Sequence, residues 1–493
     1  MPDDQPAKPE DPKAAEKPEP PEKECPPPVV TTHRVALDGR ALEYTVTTGL
    51  MPIRDDAGKK EAEIFFMAYT LNGESAADRP LMFSFNGGPG SSSVWLHMGA
   101  LGPRRVKMLP DGSLPPPPYR MEDNPRTWLE HTDLVFIDPV GTGFSRPERP
   151  EDGKKFWNVE GDIASIGEFI RLYLTRYLRW SSPLFLVGES YGTTRAAGLS
   201  DFLIEKGIAL NGIALVSSVL NFQTLYFDAG NDLPYLLFLP TYTATAWYHG
   251  KLSADLHESL PKALAEAEAW IESDYANLLA KGSDLPEAAR ADAIAKLARL
   301  TGLDPRFVDQ SDLRIEIQRF CRELLRDQGR TVGRLDSRID LVHAPTVAEK
   351  PDFDPSMSAI RPPYTALFND YVRRDLGYET DQEYYILGGG IKTPWEWGSR
   401  PGYVDTGEAL VKAFAKNPYM KLFVASGYYD LATPYYATRY TIRHLSVSPA
   451  VRGNIRTADY EAGHMMYIHA ESLERLQSDI AAFIAFALAP TEP

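Results

Sequence analysis

Between His33 and Leu71 apolar and polar residues alternate, in VALDGRALEYTVTTGLMPI and EIFFMAYTLN, around the turn signals Asp38-Gly39 and Asp55-Asp56-Ala57-Gly58. A period of two broken by such turns predicts half-buried antiparallel strands, here at one edge of a sheet. Further along the pattern changes. Short continuous apolar runs, LMFSF (81–85), DLVFID (133–138), LFLVG (184–188), IALVSS (213–218) and KLFVAS (421–426), stand among segments of helical period at 161–179, 194–207, 406–416, 434–445 and 470–487. Strands that are apolar on both faces belong to a parallel sheet covered by helices on both sides, so the pattern predicts an α/β fold with a mostly parallel central sheet. Between Leu220 and Thr380 the strand rhythm stops, and Ala/Leu/Glu/Arg-rich windows such as PKALAEAEAWIESDYANLLA and IEIQRFCRELLRDQ take over. These predict a helical insertion of the kind that forms a lid.

The expected organisation is therefore a tail (1–28), a first part of the core (29–219), a helical cap insertion (220–380) and a second part of the core (381–493). Residues 1–28 hold ten prolines interleaved with Lys and Glu, a composition that cannot bury enough apolar surface to order itself and reads as a disordered, semi-extended spacer. The aromatic stretch at 225–248 would either line side-chain pockets beneath the cap or pack the cap's own core.

Charge and cysteine content narrow the function classes. With 52 Lys+Arg against 68 Asp+Glu the formal charge is −16, the wrong sign for neutralising phosphates, which argues against nucleic acid and anionic membrane surfaces as partners. Cys25 and Cys321 stand alone, with no CxxC pair or zinc-ligand array, which argues against a disulfide framework, a redox motif or a structural zinc site. No window reaches the ~20 apolar residues of a membrane span, and the N-terminus lacks the apolar core of a signal peptide.

Candidate chemistry gathers where strands give way to glycine-rich turns. Gly188-Glu-Ser-Tyr-Gly192 follows an apolar strand and precedes a helical stretch, the context of a nucleophile elbow centred on Ser190. A serine hydroxyl needs a base, and in this architecture the acid and the histidine come later in the chain. His464, in a glycine-containing loop before the last amphipathic segment, is the first candidate; His469, five residues on, is its rival, and His444 belongs to a helix with Arg443. Asp430, after the strand KLFVAS, can orient such a histidine or cap a helix. Asn86-Gly-Gly-Pro-Gly-Ser-Ser-Ser93 offers converging backbone N–H groups for an anion but lacks the GK[ST] of a nucleotide loop. LGGGIKT (387–393) also lacks that spacing.

NGGPGSSS, DPVGTGFS (138–145), GESYG, the Asp430 segment with Pro434 and Thr438-Arg439, and EAGHM occur in the order and approximate spacing of the serine carboxypeptidase family, which the chain resembles from Asn86 to its end. The resemblance implies an α/β-hydrolase fold with a helical cap. It implies Ser190 as nucleophile, His464 rather than His469 as base and acid, and Asp430 as its orienter. It further implies an oxyanion hole from the N–H groups of Gly88 and Tyr191, and Asn86 with Glu189 as receptors of the substrate's C-terminal carboxylate. A carboxyl at Glu189, held neutral by burial, can donate to a substrate carboxylate, which implies an acidic working pH.

The chain departs from the family pattern at four places. Phe85 stands for the usual Trp, Ser91 for a Cys, Ala100 for a Glu, and TTRAAG (193–198) for Gly-x-Tyr-x-Pro. The expected activity is that of a serine carboxypeptidase acting on peptides through an acyl-enzyme, with no metal or cofactor, secreted or periplasmic by family habit, and with a homodimer left open. Its competitors are an acyltransferase or esterase of the same fold, favoured by Ala100, and a catalytically silent peptide-binding protein. A zinc hydrolase on Glu461, His464 and His469 comes last, because the spacing matches no HExxH helix.

Overall fold

The alternating residues at the start of the chain form an antiparallel meander. In the computed structural model, which describes residues 25–37, 39–343, 347–398 and 402–490, β1 (Val29–Leu37), β2 (Arg40–Arg54) and β3 (Lys60–Leu71) pair in sequence. The expected disordered tail lies, as far as residue 24, outside the described residues. From residue 25 the chain runs along the sheet, where the Cys25 thiol donates to Glu63 Oε1 at 3.0 Å.

The continuous apolar runs become β4 (Leu81–Phe85), β5 (Asp133–Ile137), β6 (Leu184–Ser190), β7 (Gly212–Ser218) and β8 (Lys421–Gly427), and a further strand, β9 (Ile455–Tyr460), closes the far edge. The order is β1-β2-β3-β5-β4-β6-β7-β8-β9, with a two-residue strand at Arg146–Pro147 added beside β3. β5 is antiparallel to β3, and every pairing from β5 to β9 is parallel. β9 is not legible as a strand because Ile455–Tyr460 is polar and buries only its last residue.

Side-chain alternation splits the apolar residues between the two faces of the sheet. Phe65, Met67, Tyr69, Met82, Phe185, Val187, Ala214 and Val216 meet the helices Pro355–Arg374 and Ala470–Leu488 on one side. On the other, Ile64, Phe66, Leu81, Phe83, Leu184, Leu186, Ile213 and Leu215 meet Val159–Arg176, Tyr191–Glu205 and Gly407–Lys416. A two-sided cover is what makes fully apolar strands stable in water.

The helices between Leu237 and Leu325 build a third core of their own, joined by Leu431, Tyr435 and Tyr436 from the segment after β8. Phe238 and Tyr242, from the aromatic stretch at 225–248, are buried there, so those aromatics serve the insertion's packing. Pro355–Arg374, although within the same sequence span, packs on the sheet instead. Among the described residues no helix is long and apolar enough to cross a membrane.

Candidate active site

After β4 the chain goes to β5 on one side, and β6 then adds to β4's other side. The crevice beyond the carboxyl ends of β4 and β6 is the switch point where such sheets bind ligands. NGGPGSSS leaves β4 there and GESYG leaves β6.

Ser190 ends β6 and opens the helix Tyr191–Glu205 with φ 60° and ψ −130°. A non-glycine residue in that region costs of order 1–3 kcal/mol and persists only where its surroundings over-determine it. The surroundings here are glycines in backbone contact: a Cβ on Gly188 would lie 2.2 Å from the Gly192 carbonyl oxygen, and one on Gly87 would lie 2.4 Å from Tyr191 N. The loop after β4 thus rests directly on the N-terminus of the Ser190 helix. Gly88, at φ +102°, can take its turn there because it has no Cβ.

His464 is buried in the loop after β9, held by its N–H to the Leu335 carbonyl at 2.6 Å and by the Ser217 hydroxyl donating to its own carbonyl at 2.6 Å. Its Nδ1 lies 2.7 Å from Asp430 Oδ2. Asp430, fully buried, uses its other oxygen to accept from the N–H groups of Ala432 and Thr433 at 2.8 and 3.0 Å. The Thr433 hydroxyl adds 2.7 Å to Oδ2. Asp430 therefore meets His464 through one oxygen and the turn N–H groups through the other, but it caps no helix, since the N-cap of Tyr435–Arg443 is Pro434. Burial opposes a charge on His464, but the Asp430 carboxylate outweighs it and raises the imidazole above its ordinary value.

Ser190, His464, Glu189, Asn86 and Gly88 line one cavity of ≈ 140 Å³, whose apolar wall is Trp95, Leu335, Met357, Ile360, Leu387 and Met465. Among the described residues the Ser190 hydroxyl makes no hydrogen bond. His469 and Glu461 line a different cavity, and His469 Nδ1 meets Ser472 Oγ at 2.9 Å. His444 sits at a helix end with Nδ1 on the Tyr440 carbonyl. The Glu461, His464, His469 grouping is thus split between two cavities.

Glu189 is buried, with Asn86 Nδ2 donating to Oε1 at 2.9 Å and the Tyr467 hydroxyl to Oε2 at 2.5 Å. The orientation of the Asn86 amide is set from behind, since Leu96 N–H donates to its Oδ1 at 3.1 Å. Burial pushes the Glu189 carboxyl up to about 7, against the charge of His464 and the bonds from Tyr467 and Asn86. Sequence reasoning missed Tyr467, whose ring lies over Gly99 next to Ala100; a Cβ on Gly99 would come within 2.4 Å of it.

The four departures have identifiable neighbours. Ser91 Oγ accepts from Trp95 Nε1 at 2.7 Å, and Ala100 is buried with its carbonyl taken by Asn124 Nδ2. Within TTRAAG, Arg195 is buried between Asp162, at 2.8 Å, and the Asn86 carbonyl, at 2.7 Å, with its guanidinium over the rings of Phe85 and Tyr191. Arg195→Leu leaves the Asp162 carboxylate buried without its counter-charge and is expected to cost about 3–5 kcal/mol. Urea unfolding checks this, and a loss below about 1 kcal/mol would contradict it.

A serine on a strained strand-to-helix turn, sharing a cavity with an Asp-oriented histidine at the switch point of a mostly parallel sheet, defines an α/β hydrolase of the serine type. A model of the serine carboxypeptidase family matches residues 39–473, and the chain belongs to that family. Over 155 residues it is 34% identical to the pheromone-processing carboxypeptidase KEX1 of Saccharomyces cerevisiae, a match covering 29% of this chain and 20% of the yeast protein. Over 228 residues it is 25% identical to serine carboxypeptidase-like 8 of Arabidopsis thaliana, covering 45% of this chain and 48% of the plant protein. The matched stretches thus span a fifth of the yeast relative and under half of the plant one. The crystal structure of a prohormone-processing carboxypeptidase from Saccharomyces cerevisiae, Kex1ΔP, superposes with a TM-score of 0.50 at 16% identity over 89% of this chain and 91% of that one, a likeness of fold.

Proposed function

We propose that the chain is a serine carboxypeptidase that removes the C-terminal residue of peptides. The observation that carries this reading is the single cavity in which Ser190, the Asp430-bonded His464 and the Asn86–Glu189 pair all meet. Asp430 holds the His464 proton on Nδ1, leaving Nε2 to take the proton from Ser190 Oγ as that oxygen attacks the scissile carbonyl carbon. The oxyanion is received by the N–H groups of Gly88 and Tyr191, brought together by the Gly87 contact. Collapse breaks the C–N bond, and His464 returns its proton to the leaving amine. Water then repeats the sequence on the ester and frees Ser190.

Glu189 and Asn86 receive the C-terminal carboxylate, and the apolar wall receives a side chain. Of the span 220–380, Arg334, Leu335, Met357 and Ile360 line the cavity, the last two from the helix that packs on the sheet, and the helices between Leu237 and Leu325 form the cap beside it. An exported, secreted or periplasmic location belongs to the same reading by family habit, and cell fractionation checks it. Fluorophosphonate labelling of Ser190, together with release of single C-terminal residues from blocked dipeptides, tests the whole.

The pH dependence follows from Glu189. While protonated it donates to the substrate carboxylate; once ionised it repels it. With the carboxyl at about 7, kcat/KM for free-acid peptides should fall as pH rises through that value; protonation of His464, which Asp430 raises above its ordinary value, removes the base and sets the acid limb. Glu189→Gln cannot ionise, so its alkaline limb should move upward. The hydrogen bond from Tyr467 lowers the Glu189 value, so Tyr467→Phe raises it and should move the same limb upward too. Amidated peptides carry no charge to repel and should already lack the limb in the wild type. Superimposable profiles for free and amidated peptides would remove Glu189 as the carboxylate sensor.

A further inference from the structure

Arg334 follows the short strand Arg330–Val332 and lines the cavity that holds Ser190 and His464. Its backbone is fixed: its N–H donates to Asp354 Oδ1 at 3.1 Å, and its carbonyl accepts from Leu431 N–H at 3.0 Å. Its guanidinium has neither an ion pair nor a hydrogen bond among the described residues. Asp354, the neighbouring acid, accepts with the same Oδ1 from the N–H of Ser356 as well and lines with Arg334 a second cavity, beside Cys321 and Val332, but its carboxylate makes no ion pair with the guanidinium. An arginine that is partly buried, pinned at its backbone and without an anion is a receptor awaiting one, since guanidinium geometry matches a carboxylate in two parallel bonds.

The rest of the cavity gives the reason for an added cation. Both Glu189 oxygens already accept, from Asn86 and Tyr467, and Ala100 contributes no carboxyl. A peptide carboxylate entering here would meet Glu189 with no permanent positive charge besides Arg334 among the residues lining the cavity. Desolvating an anion without a counter-charge is expensive.

We propose that Arg334 is a specificity-determining residue that pairs with a carboxylate of the peptide substrate, from the chain terminus or from an acidic side chain beside the scissile bond. The proposal rests on the carboxypeptidase reading and gives its substrate class a charge. The same guanidinium works against protonation of His464, so an anion seated on it would also ease formation of the imidazolium during acyl transfer.

The test compares kcat/KM for two matched pairs of blocked peptides, free acid against C-terminal amide and Glu against Gln before the scissile bond, in the wild type, Arg334→Gln and Arg334→Lys. Arg334→Gln should lower one of the two preference ratios by roughly ten- to a hundredfold, the scale of a charge-assisted pair, and Arg334→Lys should keep part of it. The ratio that falls names the source of the carboxylate. Two ratios equal to those of the wild type in Arg334→Gln would overturn the proposal. Should that variant not fold, the wild type suffices: 4-phenylbutyrate should inhibit turnover of a neutral aryl ester competitively where 4-phenylbutyramide does not, and equal inhibition by the two would overturn it. If the wild type releases no C-terminal residue, yet the acid inhibits the ester reaction and Arg334→Gln abolishes that inhibition, the exopeptidase reading fails and the assignment of Arg334 stands.

Discussion

Ser190→Ala, His464→Ala and Asp430→Asn are each expected to lower kcat by several orders of magnitude, on the ~10⁴ to 10⁶ scale of other triads. The geometry makes the three a unit. Asp430 Oδ2 sits 2.7 Å from His464 Nδ1, so an amide at 430 can turn its NH₂ toward that nitrogen, stabilise the other tautomer and leave Nε2 protonated, unable to accept from Ser190. Ser190→Ala combined with His464→Ala should be hardly worse than Ser190→Ala alone, because the histidine has nothing to activate once the hydroxyl is gone. Steady-state kinetics on one blocked dipeptide checks the set. Additive losses in the double variant, or full activity in Asp430→Asn, would contradict the assignment and redirect the search to another acid in the region, Asp459 first.

The second large effect comes from a residue with no side chain. Gly87→Ala would set a methyl group 2.4 Å from Tyr191 N, 2.7 Å from Gly192 N and 2.8 Å from the Glu189 carbonyl oxygen. All three are backbone atoms, so no rotamer change relieves the clash. The loop carrying Gly88 must back away from the helix carrying Tyr191, and the two proposed oxyanion donors separate. Loss of one such donor costs about 10² to 10³ in kcat, and Gly87→Ala should lose at least that much. Gly453→Ala, where the nearest atom to the new methyl is 3.8 Å away, should stay near the wild type and serves as the control. Activity of Gly87→Ala within a fewfold of the wild type would mean that the donors lie elsewhere.

The parts of the fold legible in the sequence are those whose burial is two-sided or strictly alternating. LMFSF and LFLVG read as strands because every residue of both runs is buried, and the meander of β1 to β3 reads from its period of two. β9 carries no such mark: at the sheet edge it buries one residue of six, so its polar sequence looks like loop. The site divides in the same way. Ser190, Glu189, Asn86 and Gly88 sit in turns whose glycines are required by backbone contacts, and such turns leave a local motif. Tyr467 bonds to Glu189 and Arg195 to Asp162 and Asn86, while Arg334 joins the cavity wall; these contacts are between residues distant in sequence and leave no local motif. The resemblance flagged their surroundings only as departures: Ala100 beside the ring of Tyr467, and TTRAAG around Arg195.

Whether this cavity cleaves peptides from a free C-terminus by way of Ser190 is decided by following one peptide through time. A ten-residue peptide, as the free acid and as the C-terminal amide, is incubated with the wild type and with Ser190→Ala, and the products are followed by mass spectrometry over time. Stepwise loss of single residues is expected from the free acid, little or none from the amide at mildly acidic pH, and no loss from either with Ser190→Ala. Internal cleavage, equal trimming of acid and amide, or trimming that survives in Ser190→Ala would contradict the carboxypeptidase reading.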